Sequence, residues 1–355
     1  MFPYDVLRPR KQLRKLIAVF SVLFVFFVFG AIMTEKDSLL QENEKYKENE
    51  RDFYFGMKTK PYILRESPRT EEKGDIFYLD GEQNNVVADD QLQIVTSRPV
   101  KRLPKALIIG VKKSGTKTLQ EFLRIHPDIC TPANEVHYFT RNYHKGLEWY
   151  RRQMPVSVEN QMTIERTRGY YVHGDVPQRI ALQIPTVRLI VVVRNPVLRA
   201  LLDYTSQCDR NKSDLSFMEA FFWNNITGFI DMSRDFIQTS MYVKFLENWF
   251  QYFRLDQFHF VNGDMLYRNP SHELNKLEGF LKIRNLISSD HFYYNTSRDS
   301  LCIKKHDCQG RPHCFSENKL KTYPPPFLLR RLREFFHPFN EKFYRQTKQR
   351  FNWNV

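Results

Sequence analysis

The 355-residue chain has no internal repeat and no low-complexity tract, which excludes solenoid, propeller and fibrous architectures. Acidic residues are in short supply: 40 Asp and Glu stand against 54 Lys and Arg, a formal net charge of +14. A surface of that sign suits polyanions such as nucleic acid, anionic lipid or a sulfated or phosphorylated polymer, without choosing among them. Cysteine is scarce as well, with five residues. Cys130 and Cys208 stand apart, while Cys302, Cys308 and Cys314 crowd into LCIKKHDCQGRPHC with His306 and His313. That spacing fits no familiar zinc finger, so a disulfide is the first reading and a zinc cluster its rival. What is abundant is apolar sequence, 42% of the chain, enough for one large core with residues left over for a tail or stalk.

Residues 16–33, LIAVFSVLFVFFVFGAIM, are almost unbroken apolar sequence. At 1.5 Å per residue they reach ~27 Å, the thickness of a hydrocarbon core. Arg8, Arg10, Lys11, Arg14 and Lys15 precede them, so the charge bias sets residues 1–15 in the cytosol and the rest outside it. A cleaved signal peptide is the competing reading, with only a weak small-residue site at Gly30-Ala31. Residues 34–102 are polar and mixed in charge without an apolar period, and read as a stem. Sequons at Asn211, Asn225 and Asn295 agree with a lumenal face.

The folded part is expected over 103–355, where ALIIG (106–110), VRLIVVV (187–193) and FHFVNG (258–263) are strand-length apolar runs. Helical spacing appears in Thr116 to Ile125, Pro196 to Gln207, Met241 to Phe253, His272 to Leu281 and, after a proline run, FLLRRLREFF. Alternation of this kind predicts an α/β domain on a parallel sheet, with ligands at the carboxyl ends of the strands.

The stretch ALIIGVKKSGTKTLQEFL reads as a strand, a glycine-punctuated turn and a helix. Gly110 and Gly115 have the spacing of a nucleotide-hydrolysing P-loop, yet the lysine that should follow the second glycine is missing. Lys112 and Lys113 lie inside the loop instead, with Ser114, Thr116 and Lys117 as further donors to an anion at the helix N-terminus. A second strand end, VVVRNPVLRALLDYTSQ, offers Arg194 before Pro196, so two separated anionic groups of one ligand would be met. An ordinary glycine turn and a surface arginine are the plain alternatives.

LPKALIIGVKKSGTKTLQEFLRIHPD, EVHYFTRNYHKGLEWYRRQMP, VVVRNPVLRALLDYT, the C-x11-C segment ending GRPHC, and RRLREFFHPFNEKFYRQT together resemble the heparan sulfate glucosamine 3-O-sulfotransferases. The resemblance covers residues 103–353 and implies a P-loop-like sulfotransferase fold, a single-pass type II Golgi membrane protein, and 3′-phosphoadenylyl sulfate as donor. It implies heparan sulfate as acceptor, no metal and no nucleic acid. Carried over residue by residue, it implies Glu135 as the base for the glucosamine 3-hydroxyl, with His137 orienting acceptor or carboxylate. Lys113 would neutralise the leaving phosphate in place of magnesium. Lys113, Ser114, Gly115, Thr116 and Lys117 would hold the 5′ end of the donor, and Arg194 with Lys319, Leu320, Lys321, Thr322 and Tyr323 its 3′-phosphate region. Lys112, Arg141, Arg166 and Gln207 are the implied acceptor contacts. Cys302 and Cys314 match the family's disulfide, which leaves Cys308 as the odd thiol. Trp149 and Tyr150 read as core rather than as a sugar platform.

Several family positions differ. Thr140 stands where an Asp is usual, Arg166 replaces a lysine, Arg168-Gly169 replaces a Pro-Ala pair, Leu202 a serine, Ser206 a glutamine and Leu320 a glycine. The alternative they raise is a catalytically weakened, membrane-anchored heparan sulfate-binding protein.

Overall fold

The computed structural model describes residues 98–353 apart from 212–214, 225–227, 305–312, 317–319 and 321–322. The apolar stretch 16–33, most of the expected stem, Asn225, Cys308, Lys319, Lys321 and Thr322 lie outside the described residues. Among the described residues no helix is long and apolar enough to cross a membrane.

The first seven strands along the described chain, with helices between them, are β1 (Val100–Lys101), β2 (Ala106–Gly110), β3 (Ile129–Cys130), β4 (Val156–Ser157), β5 (Met162–Arg166), β6 (Arg188–Val193) and β7 (Phe258–Asn262). Five of them form one parallel sheet in the order β3-β5-β2-β6-β7, while β1 and β4 pair antiparallel. The continuous apolar runs have the expected cause, because helices cover both faces of this sheet. Side chains alternate between two cores. Leu107, Ile109, Leu189, Val191, Val193, Phe258 and Phe260 face one cluster, and Ala106, Ile108, Ile190, Val192 and Val261 face the other.

The second face is closed by α1 (Thr116–Leu123), through Leu119, Phe122 and Leu123. Between β3 and β6 lie two short helices, α2 (Gly146–Arg152) and α3 (Val176–Gln183). Then α4 (Pro196–Asn211), α5 (Phe217–Phe221) and α6 (Asp235–Ser240) build a third cluster beside the sheet, and α7 (Tyr242–Trp249) covers the first face. After β7 come α8 (Met265–Arg268) and α9 (Pro270–Leu281), the latter packing Leu274, Leu277 and Leu281 on the second face. An antiparallel trio follows, β8 (Phe292–Asn295), β9 (Ser300–Ile303) and β10 (Cys314–Phe315), before the final helix α10 (Pro326–Thr347).

The strands and helices expected within 103–355 are present, β2 with the expected ends and the helices with shifted ones. The helix expected to reach Ile125 stops at Leu123, and the one expected to stop at Gln207 runs to Asn211. The expected segment 241–253 forms a helix only over Tyr242–Trp249, and the expected start at His272 moves back to Pro270. The last helix is twice as long as FLLRRLREFF suggests and continues past Pro338. Its first half packs Leu328, Leu329, Leu332 and Phe336 into the third cluster and its second half packs Phe343 and Tyr344 into the first, so burial outweighs the lost hydrogen bond. Tyr150 is core as expected, stacked on Tyr138 at 4.4 Å, and Trp149 packs against the same cluster with Lys145 Nζ 4.6 Å above its ring.

Candidate active site

The loop from Val111 to Gly115 leaves the carboxyl end of β2 and delivers the chain to α1. It is fixed on one side by the Val111 N–H donating to Val192 O at 2.9 Å. On the other side Gly263, just past β7, comes so close that a Cβ there would lie 2.1 Å from Ser114 O and 3.1 Å from Val193 O. Within the loop Gly115 has φ 106° and Lys113 has φ 71°, a conformation that costs a non-glycine residue about 1 kcal/mol or more. Ser114 and Thr116 are buried, Lys117 is exposed, and Lys112 and Lys113 are partly exposed. Burial pushes the Lys113 ammonium below its ordinary range, and Lys112, Arg210 and Arg168 add to this against the opposing pull of Asp203. A cation held among like charges at a helix N-terminus is a place that an anion relieves.

Glu135 and His137 lie after β3, on a segment braced by β5. Arg166, the last residue of β5, hydrogen-bonds Glu135 Oε1 through Nη1. Its Nε donates to Gln120 Oε1 at 2.7 Å, and Gln120 in turn donates to Pro132 O at 2.9 Å. The same Glu135 oxygen accepts the Arg168 N–H at 3.3 Å and has Arg168 Nε at 3.6 Å, and His137 Nε2 is 3.3 Å from Oε2. Arg166, expected as an acceptor contact, is therefore a buried brace of Glu135. His137 is held at φ 53°, and burial pushes its imidazole below the ordinary histidine range against the pull of Glu135.

Arg194 stands at the end of β6, as expected, but not as an open anion contact. Its side chain is fully buried, with Nε 3.0 Å and Nη2 2.9 Å from Asp264 Oδ1. Asp264 Oδ2 also accepts the Asn195 N–H at 3.0 Å, and the Tyr242 hydroxyl donates to Arg194 O at 2.8 Å. The pair clamps the turn into α4 against the end of β7. Asp264 is distant in sequence, and its carboxylate is what buries the guanidinium.

A cleft of 670 Å³ opens beside the loop, lined among others by Lys112, Glu135, His137, Arg141, Arg168 and Arg179. Three of the implied acceptor contacts thus behave differently: Lys112 and Arg141 line the cleft, and Gln207 stands half-buried on α4, one turn beyond Asp203. Thr140 also lines it, with its hydroxyl donating to His137 O at 3.2 Å. The sequence reading missed Arg199 and Asp203, whose i,i+4 spacing on a predicted helix was the available signal. Arg199 is fully buried and donates to Asp203 Oδ2 at 3.1 Å, to Lys112 O at 3.1 Å and to Ser240 Oγ at 2.6 Å.

Of the remaining positions, Leu202 is buried, Leu320 packs against the third cluster and Tyr323 is exposed. Cys302 and Cys314 form a disulfide across directly paired residues of β9 and β10. Asn295 ends β8 with its side-chain Oδ1 accepting the Arg298 N–H at 3.1 Å, and Asn211 is the last residue of α4. Among the described residues no group of three or more His, Cys, Asp or Glu is arranged to hold a metal ion.

Residues 103–347 match the sulfotransferase domain family. The chain is 43% identical over 265 residues to heparan sulfate glucosamine 3-O-sulfotransferase 3A1 of Mus musculus, covering 74% of this chain and 67% of that relative. It is 40% identical over 255 residues to heparan sulfate glucosamine 3-O-sulfotransferase 6 of Homo sapiens, covering 71% of this chain and 74% of that one. Among solved structures, a sulfotransferase from Alicyclobacillus acidocaldarius superposes with a TM-score of 0.55 at 18% identity, over 72% of this chain and 100% of that one, which speaks to the fold alone. A domain match over most of the chain, joined to relatives of this identity and coverage, shows that the chain belongs to the heparan sulfate glucosamine 3-O-sulfotransferase family of enzymes.

Proposed function

We propose that the protein transfers a sulfuryl group from 3′-phosphoadenylyl sulfate to the 3-hydroxyl of glucosamine units in heparan sulfate. The glucosamine oxygen attacks sulfur as its proton passes to Glu135. The bond from sulfur to the phosphate oxygen breaks, and the charge gathering on that oxygen is met by Lys113 and the α1 N-terminus. His137 orients the Glu135 carboxylate, while Lys112 and Arg141 guide the anionic sugar chain into the cleft. Residues 16–33 anchor the enzyme in the Golgi membrane with its transfer domain in the lumen.

The observation that carries this reading is the position of Arg168. It lies 3.6 Å from Glu135 and lines, with Glu135, His137 and Lys112, the cleft beside the loop, so the carboxylate and the first lysine of that loop face one space. The donor fits the loop in chemistry: a helix N-terminus, two buried hydroxyl residues and crowded ammonium groups suit an anion. The test is transfer of labelled sulfate from the donor to heparan sulfate. Glu135→Gln should lower kcat by about 100-fold or more. Equal labelling by wild type and variant, or donor binding by a wild type that labels nothing, would refute the proposal, the second result favouring a binding protein.

A further inference from the structure

Directly behind the segment that carries Glu135 and His137 lies a second carboxylate that the reaction above does not use. Glu165, on β5, is fully buried. Three donors converge on it. The Thr167 hydroxyl donates to Oε1, the Tyr150 hydroxyl donates to Oε2 at 3.3 Å, and the Val136 N–H lies near enough to favour its ionised form. Thr167 Oγ1 accepts the His137 N–H at 3.2 Å. Glu165 thus reaches two consecutive backbone N–H groups beyond Glu135, one directly and one through a hydroxyl.

A local turn satisfies the carbonyl side of this segment, with the Arg141 and Asn142 N–H groups donating to His137 O at 3.0 and 3.1 Å and Asn142 Nδ2 to Val136 O at 2.9 Å, but it leaves the N–H side of His137, at φ 53°, to a partner elsewhere. Its backbone needs a partner, and a buried strand residue is a rigid one. We infer that Glu165 is a positioning residue, which fixes the Val136–His137 backbone and through it the aim of the Glu135 carboxylate into the cleft. The inference rests on the reading of Glu135 as the base.

The set of three donors fits an ionised carboxylate, which only accepts; a neutral acid would have to turn one of the two hydroxyls round to accept its hydrogen. Burial raises the Glu165 pKa to about 7, against the Thr167, Val136 and Tyr150 hydrogen bonds and the charge of Arg166. The groups facing it are Tyr150 on α2, Tyr170 on the turn after β5 and Arg166 beside it on the strand. Both tyrosines are held well above the neutral range by burial, and His137 below its ordinary value, so Glu165 is the group among these that is raised toward neutrality. Ionisation tightens the brace, so turnover rises with pH as Glu165 ionises.

Glu165→Gln places amide hydrogens among donors and imitates the neutral acid. Thr167→Val removes the hydroxyl at constant shape, and Thr167→Ser restores it. In sulfate transfer measured on either side of pH 7, the first two should lose about 10- to 100-fold in kcat with KM changed by about twofold at most. Thr167→Ser should recover turnover, and Glu165→Gln should lose the rise near neutrality. A second readout needs no turnover: in NMR titration His137 should move up toward an ordinary histidine value in Glu165→Gln, as the segment relaxes. Unchanged kcat, pH profile and His137 titration in Glu165→Gln would overturn the inference. So would equal losses of kcat and melting temperature in all three variants, which mark a merely structural role. A wild type without turnover, whose His137 still shifts in Glu165→Gln, would reject the base assignment and leave the brace standing.

Discussion

Lys112 Nζ lies 2.7 Å from Asp203 Oδ1 at the edge of the cleft, and the other oxygen of that carboxylate takes Arg199 from the interior at 3.1 Å. One buried acid therefore serves a cation that faces the cleft and one that faces the core. Burial opposes its ionisation, but Arg199 and Lys112 outweigh it and hold the carboxyl below the ordinary aspartate value of 3.8. A carboxyl depressed in the folded state stabilises the fold above its unfolded value, and that contribution is lost as pH falls below it. In Asp203→Asn the buried guanidinium keeps Ser240, Phe236 and Lys112 O as partners. The expected loss is about 2 kcal/mol, under the ~3–5 kcal/mol of a fully broken buried pair. Differential scanning calorimetry should show a melting point lower by about 4–8 °C at neutral pH. The gap to wild type should narrow on acidification below about 3.8.

Gly263 couples the end of the sheet to the loop between β2 and α1. An alanine there would put its methyl 2.1 Å from Ser114 O, and backbone on both sides leaves no side chain to move away. The loop must shift instead, so Gly263→Ala should weaken binding of 3′-phosphoadenosine 5′-phosphate by about 10-fold or more. Isothermal calorimetry measures this. Undiminished affinity in a folded variant would show that the loop does not hold the nucleotide.

The disulfide closes a short loop, with a sequence separation of 12 between Cys302 and Cys314. In the chain-entropy picture a loop of that size is worth about 3 kcal/mol. Cys302→Ser with Cys314→Ser should therefore lower stability by about that amount in urea unfolding. The sheet core, which does not involve β10, should keep its far-ultraviolet circular dichroism below the new transition.

The sequence made the frame of the site legible where signals were local. The apolar runs of β2, β6 and β7 announced strands covered on both faces, and the glycines around Lys112 and Lys113 announced the loop. β5 was silent for a physical reason. Its segment MTIER is fully buried, yet Thr163, Glu165 and Arg166 break the apolar run, because their polar groups find partners off the strand: Ser157 for Thr163, Thr167 and Tyr150 for Glu165, and Gln120 for Arg166. Arg194 shows the opposite case. Its place at a strand end could be read, but whether the guanidinium meets a ligand or a carboxylate depends on Asp264, 70 residues on. Leu202 and Leu320 were read as departures from a binding pattern, and one is buried while the other joins the third core cluster, as apolar residues do.

Lys113 combines a strained backbone with a depressed ammonium, and the two can be separated by substitution. At φ 71° any residue with a Cβ is destabilised by about 1 kcal/mol or more relative to glycine. Lys113→Gly should therefore melt no lower than wild type, since the relieved strain offsets the extra freedom of glycine in the unfolded chain. Lys113→Ala keeps the strain and should fall about 1 kcal/mol below Lys113→Gly. For turnover the order is different: both variants lack the charge proposed to meet the leaving phosphate, so both should lose about 100-fold or more in kcat. Melting curves and sulfate transfer on the same preparations test this together. Turnover that tracked melting temperature across the three proteins would mean that the lysine acts through the fold and not through its charge.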